Sequence, residues 1–155
     1  MFQAHQDPHY EQLRARARQA GDSMSRSFED AKKAFNRGEK AKAKQLSEAG
    51  KRYQAEMRRL NKEAGDWVHE QLNSGERDGV DLHGLHVSEA VEKAESAIRT
   101  SQNRGDEQFR IIVGRGSHSE GQVARVKPAI VNLLSRKHLN SYTDPRNEGV
   151  IIVQF

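Results

Sequence analysis

The chain is 155 residues long, 34% hydrophobic and 31% charged, with a mean hydropathy of −0.95 and no cysteine. This is one domain or two small ones, too polar for a single large core, and it excludes disulfides, thiolate catalysis and cysteine-held zinc. Net charge is +4: residues 1–74 hold 15 Lys/Arg against 11 Asp/Glu and residues 75–155 hold 11 against 11, so the whole basic excess lies in the first half. Attraction for phosphates is therefore expected to be strongest there, unless those charges only solvate long helices.

The first half has helical periodicity. Tyr10, Leu13, Ala17, Ala20, Met24, Phe28, Ala31 and Phe35 form one apolar stripe, and Leu46, Ala49, Tyr53, Met57, Leu60, Ala64 and Trp67 form a second. Asp7-Pro8 is a start signal and Asn36-Arg37-Gly38 a stop. The spacing predicts helices over 8–36 and 39–73, folded as an antiparallel hairpin within residues 1–74, with a bend at Gly21.

The second half, 78–155, follows a short polar linker. A strand is predicted over Val80–His83, a helix over Ser88–Gln102 capped by Ser88, and a strand over Phe109–Val113. A Gly/Ser loop, Gly114–Gly121, precedes a helix over Ala124–Lys137, which tolerates Pro128 only in its first turns. A weak strand at Tyr142-Thr143, a turn over Pro145–Gly149 and a strand over Val150–Phe155 complete a βαβαββ order. The expected fold class is thus α/β: a two-layer βαβαββ sandwich preceded by an α-helical hairpin, with the first two strands parallel. The last strand is apolar on both faces, so the turns around Trp67, Val68 and Leu72 are expected to cover its second face.

Neighbouring parallel strands bring their carboxyl ends together, where open α/β sheets place ligands. One end carries Asp81 and His83, set on one face by strand alternation, with His86 beyond. The other carries Gly114, Arg115, Gly116, Ser117 and His118. Glycines let a loop turn its amides toward an anion, and a guanidinium forks onto phosphate. Each residue has a plainer alternative. Asp81 could serve only to fix His83, the loop could be an ordinary tight turn, and His118 could be an incidental surface residue. His5, His9, His69 and His138 show no partner pattern. Asp81, with Glu120 as a poor second, is too little carboxylate for two-metal catalysis; no cofactor is certain from the sequence, and a single loosely held magnesium ion (Mg2+) is left open.

Asp81-Leu82-His83-Gly84-Leu85, Ile111-Ile112-Val113-Gly114-Arg115-Gly116 and Arg125-Val126-Lys127-Pro128-Ala129-Ile130 resemble the Smr (small MutS-related) domain over residues 78–155. Tyr10, Leu13-Arg14, Arg37-Gly38-Glu39, Ala43–Ser47 and Gly50-Lys51 resemble the helical DUF1771 extension that precedes Smr in many eukaryotic proteins. The resemblance implies a fold like the C-terminal domain of bacterial translation initiation factor three. It also implies nucleic-acid binding and, in several members, endonuclease activity on DNA or RNA. It makes Asp81 and His83 the catalytic candidates, and Gly114, Arg115, Gly116, Ser117, His118 and Lys127 the phosphate-binding ones. The chain departs from many bacterial members in having Val113 where they have histidine, with His118 as the candidate substitute. The partners so implied are RNA or DNA, or the ribosome. A monomer in the cytosol or nucleus is expected, without membrane association. The alternatives are a non-catalytic RNA or ribosome adaptor, and a protein-interaction scaffold working through the hairpin.

Overall fold

The computed structural model of the chain describes residues 6–73, 78–114 and 123–155, excepting the side chains of 123 and 124. Arg115, Gly116, Ser117, His118 and Glu120 lie outside the described residues. The chain divides into two compact units, with the boundary between Asp66 and Trp67.

The first unit is a helical hairpin. Helix α1 (Pro8–Asn36) starts as the sequence indicates: the Asp7 carboxylate accepts from the His9 and Tyr10 amides at 2.8 and 3.3 Å, satisfying two of the first turn's orphan donors. Helix α2 (Lys40–Asn73) returns antiparallel, with Gly21 against Met57 and Phe28 against Gly50. α1 runs through Gly21 as one helix, and this glycine makes room for Met57: a Cβ there would lie 3.1 Å from the Met57 sulfur. At Gly50 the approach is closer, since a Cβ would sit 2.6 Å from the Phe28 ring. The stripes are shifted near the hairpin turn. Phe35 is 62% exposed and Ala34 is buried in its place, while Tyr53 is 42% exposed and Gly50 faces inward. Arg14 is buried: its guanidinium donates to the Tyr10 hydroxyl at 3.1 Å and to the Asn61 side-chain oxygen at 2.8 Å, and it lies 5.1 Å from the centroid of the Tyr10 ring.

The second unit contains the last turns of α2, then β1 (Gly79–Asp81), α3 (Val87–Arg104), β2 (Gln108–Ile112), α4 (Val123–Arg136), β3 (Asn140–Asp144) and β4 (Asn147–Gln154). The four strands form one sheet in the order β1-β2-β4-β3, with β1 parallel to β2 and both other pairs antiparallel. This is the expected two-layer βαβαββ arrangement, with α3 and α4 packed on each other and α3 on β1 and β2. β4 lies inside the sheet, and Val150, Ile151, Ile152 and Val153 are all buried, which explains its apolar character on both faces. Val68, in the last turns of α2, is fully buried, and the neighbouring Asn73 hydrogen-bonds β1.

Several boundaries differ from the sequence expectation. β4 begins at Asn147, so the turn is the pair Pro145-Arg146, tightened by the Arg146 amide donating to the Asp144 carboxylate at 2.9 Å. Pro128 lies in the second turn of α4. α3 begins at Val87 with His86 as its N-cap residue, and the Glu89 carboxylate accepts the His86 amide at 2.9 Å; Ser88 is therefore inside the first turn and does not cap the helix.

Candidate functional site

β1 is three residues long and ends at Asp81, so His83 is not in the strand. Asp81 and His83 meet through a turn, not through the pleat. The Leu85 amide donates to the Leu82 carbonyl at 3.3 Å, with Gly84 third in the turn at φ +81°. That position needs a positive φ, which a side chain would strain. Within the turn Asp81 Oδ1 accepts twice, from the His83 amide at 3.0 Å and from His83 Nδ1 at 2.6 Å. The flanking Val80 and Leu82 are buried in the core and anchor the segment from below.

The pair is partly sheltered, with side chains 15% (Asp81) and 28% (His83) exposed. The Asp81 carboxylate, bonded to Nδ1, holds His83 above the ordinary imidazole range; partial burial works in the opposite direction and is outweighed. With Nδ1–H directed at the carboxylate, the tautomer is set, and Nε2 is the nitrogen left to accept a proton when neutral or give one when charged. This is the geometry of an oriented acid–base imidazole.

The parallel register sets Asp81 beside Ile112, and the antiparallel register sets Ile112 beside Val150. The ends of β1 and β2 and the beginning of β4 therefore share one edge of the sheet. Gly114 leaves β2 at φ +86°, and its amide donates to the Gly149 carbonyl at 3.2 Å, as does that of Val113 at 2.8 Å. The Gly114 amide, expected to face a phosphate, is thus engaged inside the fold, and the role of this glycine here is to turn the chain. Lys127, from α4, reaches the same strand start: its ammonium donates to the Glu148 carbonyl at 2.8 Å, leaving two of its three protons for another acceptor. His86 faces Glu89, with Nδ1 3.8 Å from the carboxylate. Asp81, His83, Gly114 and Lys127 are brought to this edge, while Arg115, Gly116, Ser117 and His118 lie outside the described residues.

Asn73, at the end of α2, is a member of this edge that carries no sequence signal. Its amide bonds both backbone polar groups of Asp81. Among the described residues no group of three or more His, Cys, Asp or Glu could hold a metal ion. Asp81 has one oxygen committed to His83, and no step below passes through a metal ion. No helix among the described residues is long and apolar enough to cross a membrane.

A helical hairpin followed by a two-layer α/β sheet domain, with an aspartate–histidine pair at the end of its first strand, defines the class. The Smr domain model matches residues 80–155, and the domain of unknown function DUF1771 matches residues 10–73. The chain is 38% identical over 145 residues to an Smr domain-containing protein of Schizosaccharomyces pombe, covering 93% of this chain and 70% of that protein. It is 28% identical over 149 residues to Endonuclease NBR9 of Saccharomyces cerevisiae, covering 96% of this chain but 62% of that protein, so it spans less than two thirds of this relative's length. It also resembles the solution structure of the B3BP Smr domain, with a TM-score of 0.49 and 32% identity, over 61% of this chain and 95% of that one. The chain belongs to the Smr domain-containing proteins, with a DUF1771 segment ahead of the Smr domain.

Proposed function

We propose that this protein is an endonuclease acting on RNA, with His83 as the proton-transferring group and Asp81 as the residue that orients it. The observation that carries this reading is the 2.6 Å contact between Asp81 Oδ1 and His83 Nδ1 at the carboxyl end of β1. The relative named an endonuclease supports it. The basic first half gives the chain a general attraction for a phosphate backbone.

With so little carboxylate at this edge, the substrate supplies the nucleophile. The 2′-hydroxyl of RNA attacks the adjacent phosphorus and neutral His83 takes its proton on Nε2. The bond from phosphorus to the 5′-oxygen breaks, and that oxygen leaves with a proton from a second donor, for which His118 is the sequence candidate. The products are a 2′,3′-cyclic phosphate and a 5′-hydroxyl. Arg115 and the Gly116 amide are assigned to the charge developing on the phosphate, Lys127 to the backbone beside it, and Ser117 to a supporting contact. DNA lacks the nucleophile and is not cut by this route.

The test is single-turnover cleavage of structured RNA, and of the same molecule with a 2′-deoxy substitution at the cut, by the intact protein and its Asp81→Ala, His83→Ala and Arg115→Ala variants, with and without chelator. Cleavage that is lost in the variants and in the deoxy substrate supports the reading. Equal cutting by wild type and variants would falsify it. Loss of cutting with chelator would contradict the metal-free route.

A second reading, a non-catalytic adaptor on structured RNA or ribosomes, uses the basic first half and the Lys127 ammonium to hold phosphates without proton transfer. Salt-sensitive RNA binding without product would select it.

A further inference from the structure

Among the described residues β1 is an edge strand, paired with β2 on one side only. In the parallel ladder the Leu82 amide donates to Ile112 and the Arg110 amide to the Asp78 carbonyl, so residues 78, 80 and 82 face β2. The amide and carbonyl of Asp81 therefore point away from the sheet, where an edge strand ordinarily meets water. Here they meet one side chain. Asn73 Oδ1 accepts the Asp81 amide at 2.8 Å, and Asn73 Nδ2 donates to the Asp81 carbonyl at 3.0 Å. The same nitrogen donates its other proton to the His69 carbonyl, one turn back on α2, at 2.8 Å, and lies 3.1 Å from Nδ1 of the His69 ring, the titratable group that faces it from α2. The pattern admits only one orientation of the amide: turned over, it would face an N–H with an NH2 and two carbonyls with an oxygen.

We propose that Asn73 is a positioning residue for the Asp81–His83 pair, holding the carboxylate's backbone as a substitute for the missing neighbouring strand. Asn73 is also the last residue of the DUF1771 match, so the helical segment contributes to the site by more than charge. The inference rests on the proposed role of His83. It has its own physical consequence, because Asp81 bonds both the backbone and the ring of His83, and slack in the Asp81 backbone lengthens the Nδ1 contact. That contact is what raises the affinity of His83 for its proton. Asn73 borders a cavity of about 310 Å³, which gives water access to the clamp when the amide is removed, so the substitution does not strand buried polar groups.

The experiment is an NMR titration of His83 in the full chain, for the wild type, Asn73→Ala, Asn73→Asp and, as a control on α2, Val68→Ala, whose side chain is fully buried. Asn73→Ala is expected to move the His83 midpoint down toward the ordinary imidazole value, and Asn73→Asp, which loses the donor but adds a negative charge that favours protonated His83, to leave it above that of Asn73→Ala. Val68→Ala is expected to lower the melting temperature and leave the midpoint in place. In cleavage assays Asn73→Ala should lower kcat by about tenfold or more with little change in KM, as misplacement of a reacting group does. A His83 midpoint unmoved in Asn73→Ala, or moved as far in Val68→Ala, overturns the inference. If the Asn73 variants do not fold, amide exchange in the wild type decides: strong protection of the outward-facing Asp81 N–H supports the clamp, and free exchange contradicts it. A shifted titration in a protein that cuts no RNA would defeat the proposed function while leaving the clamp standing.

Discussion

Among the described residues, one buried polar constellation of the hairpin and one half-buried pair of the sheet unit are built differently. In the hairpin, Arg14 is 5% exposed and bonds the Tyr10 hydroxyl and both the side-chain and backbone oxygens of Asn61. Its guanidinium is always charged, so the cluster cannot exchange protons and acts as a fastener between α1 and α2. In the sheet unit, His83 is 28% exposed and engages its carboxylate through one nitrogen only. The difference teaches where to look for chemistry: a polar group closed on every side holds a fold, whereas one fixed on one side and open on the other is poised to act.

The largest expected effect separates the two directly. His83→Ala should lower RNA cleavage by about 10²–10⁴-fold, the usual range for a general acid–base group, while leaving the melting temperature nearly unchanged. Arg14→Ala should do the reverse, costing about 2–4 kcal/mol of stability in denaturant titration because Asn61 and the Tyr10 hydroxyl lose their buried partner, with the His83 titration unmoved. Any shift of that titration in Arg14→Ala would show that the two clusters are not independent. Next comes Gly50→Ala, where the new Cβ would fall 2.6 Å from the Phe28 ring; overpacking of this kind costs about 1–3 kcal/mol, and Phe28→Ala in the same chain should recover part of the loss. The smallest effect is on the pH dependence of stability. Because Asp81 raises the proton affinity of His83 in the folded state, the pair stabilises the protein below the unfolded imidazole value of 6.5, and the gain is lost as pH rises through the higher folded value. Asp81→Asn should therefore reduce stability more in mild acid than in alkali, by less than about 1 kcal/mol for so accessible a pair, and a pH-independent difference would contradict the assignment.

Much of this arrangement could be read before any coordinates existed, because periodicity is a local property. The start of α1 at Asp7-Pro8, the return helix and the parallel pairing of the first two strands all follow from spacing and breakers. Asp81 and His83 were nameable as partners, yet the expected reason was alternation along a strand, whereas a glycine turn after Asp81 brings them together. Glu148-Gly149 reads as turn by composition, but strand pairing with β2 draws Gly149 into β4 as an acceptor for two amides. Arg14 entered only through the DUF1771 resemblance and Asn73 not at all, since each gains its meaning from a partner that periodicity cannot supply: Arg14 from Asn61 on the return helix, and Asn73 from the outward edge of β1. Phe35 fails for a related reason: it keeps the helical spacing, about seven turns on from Tyr10, yet it is exposed and Ala34 buried, because burial at this end of α1 depends on the partner surface and not on the period.

The most direct test of the central claim, that an aspartate-oriented His83 moves the proton in RNA cleavage, is the pH–rate profile of single-turnover cleavage set beside the NMR titration of His83 in the wild type and in Asp81→Asn. The account predicts that one limb of the profile has the His83 midpoint, and that both fall together when the carboxylate becomes an amide. A profile that stays in place while the His83 midpoint moves would contradict it.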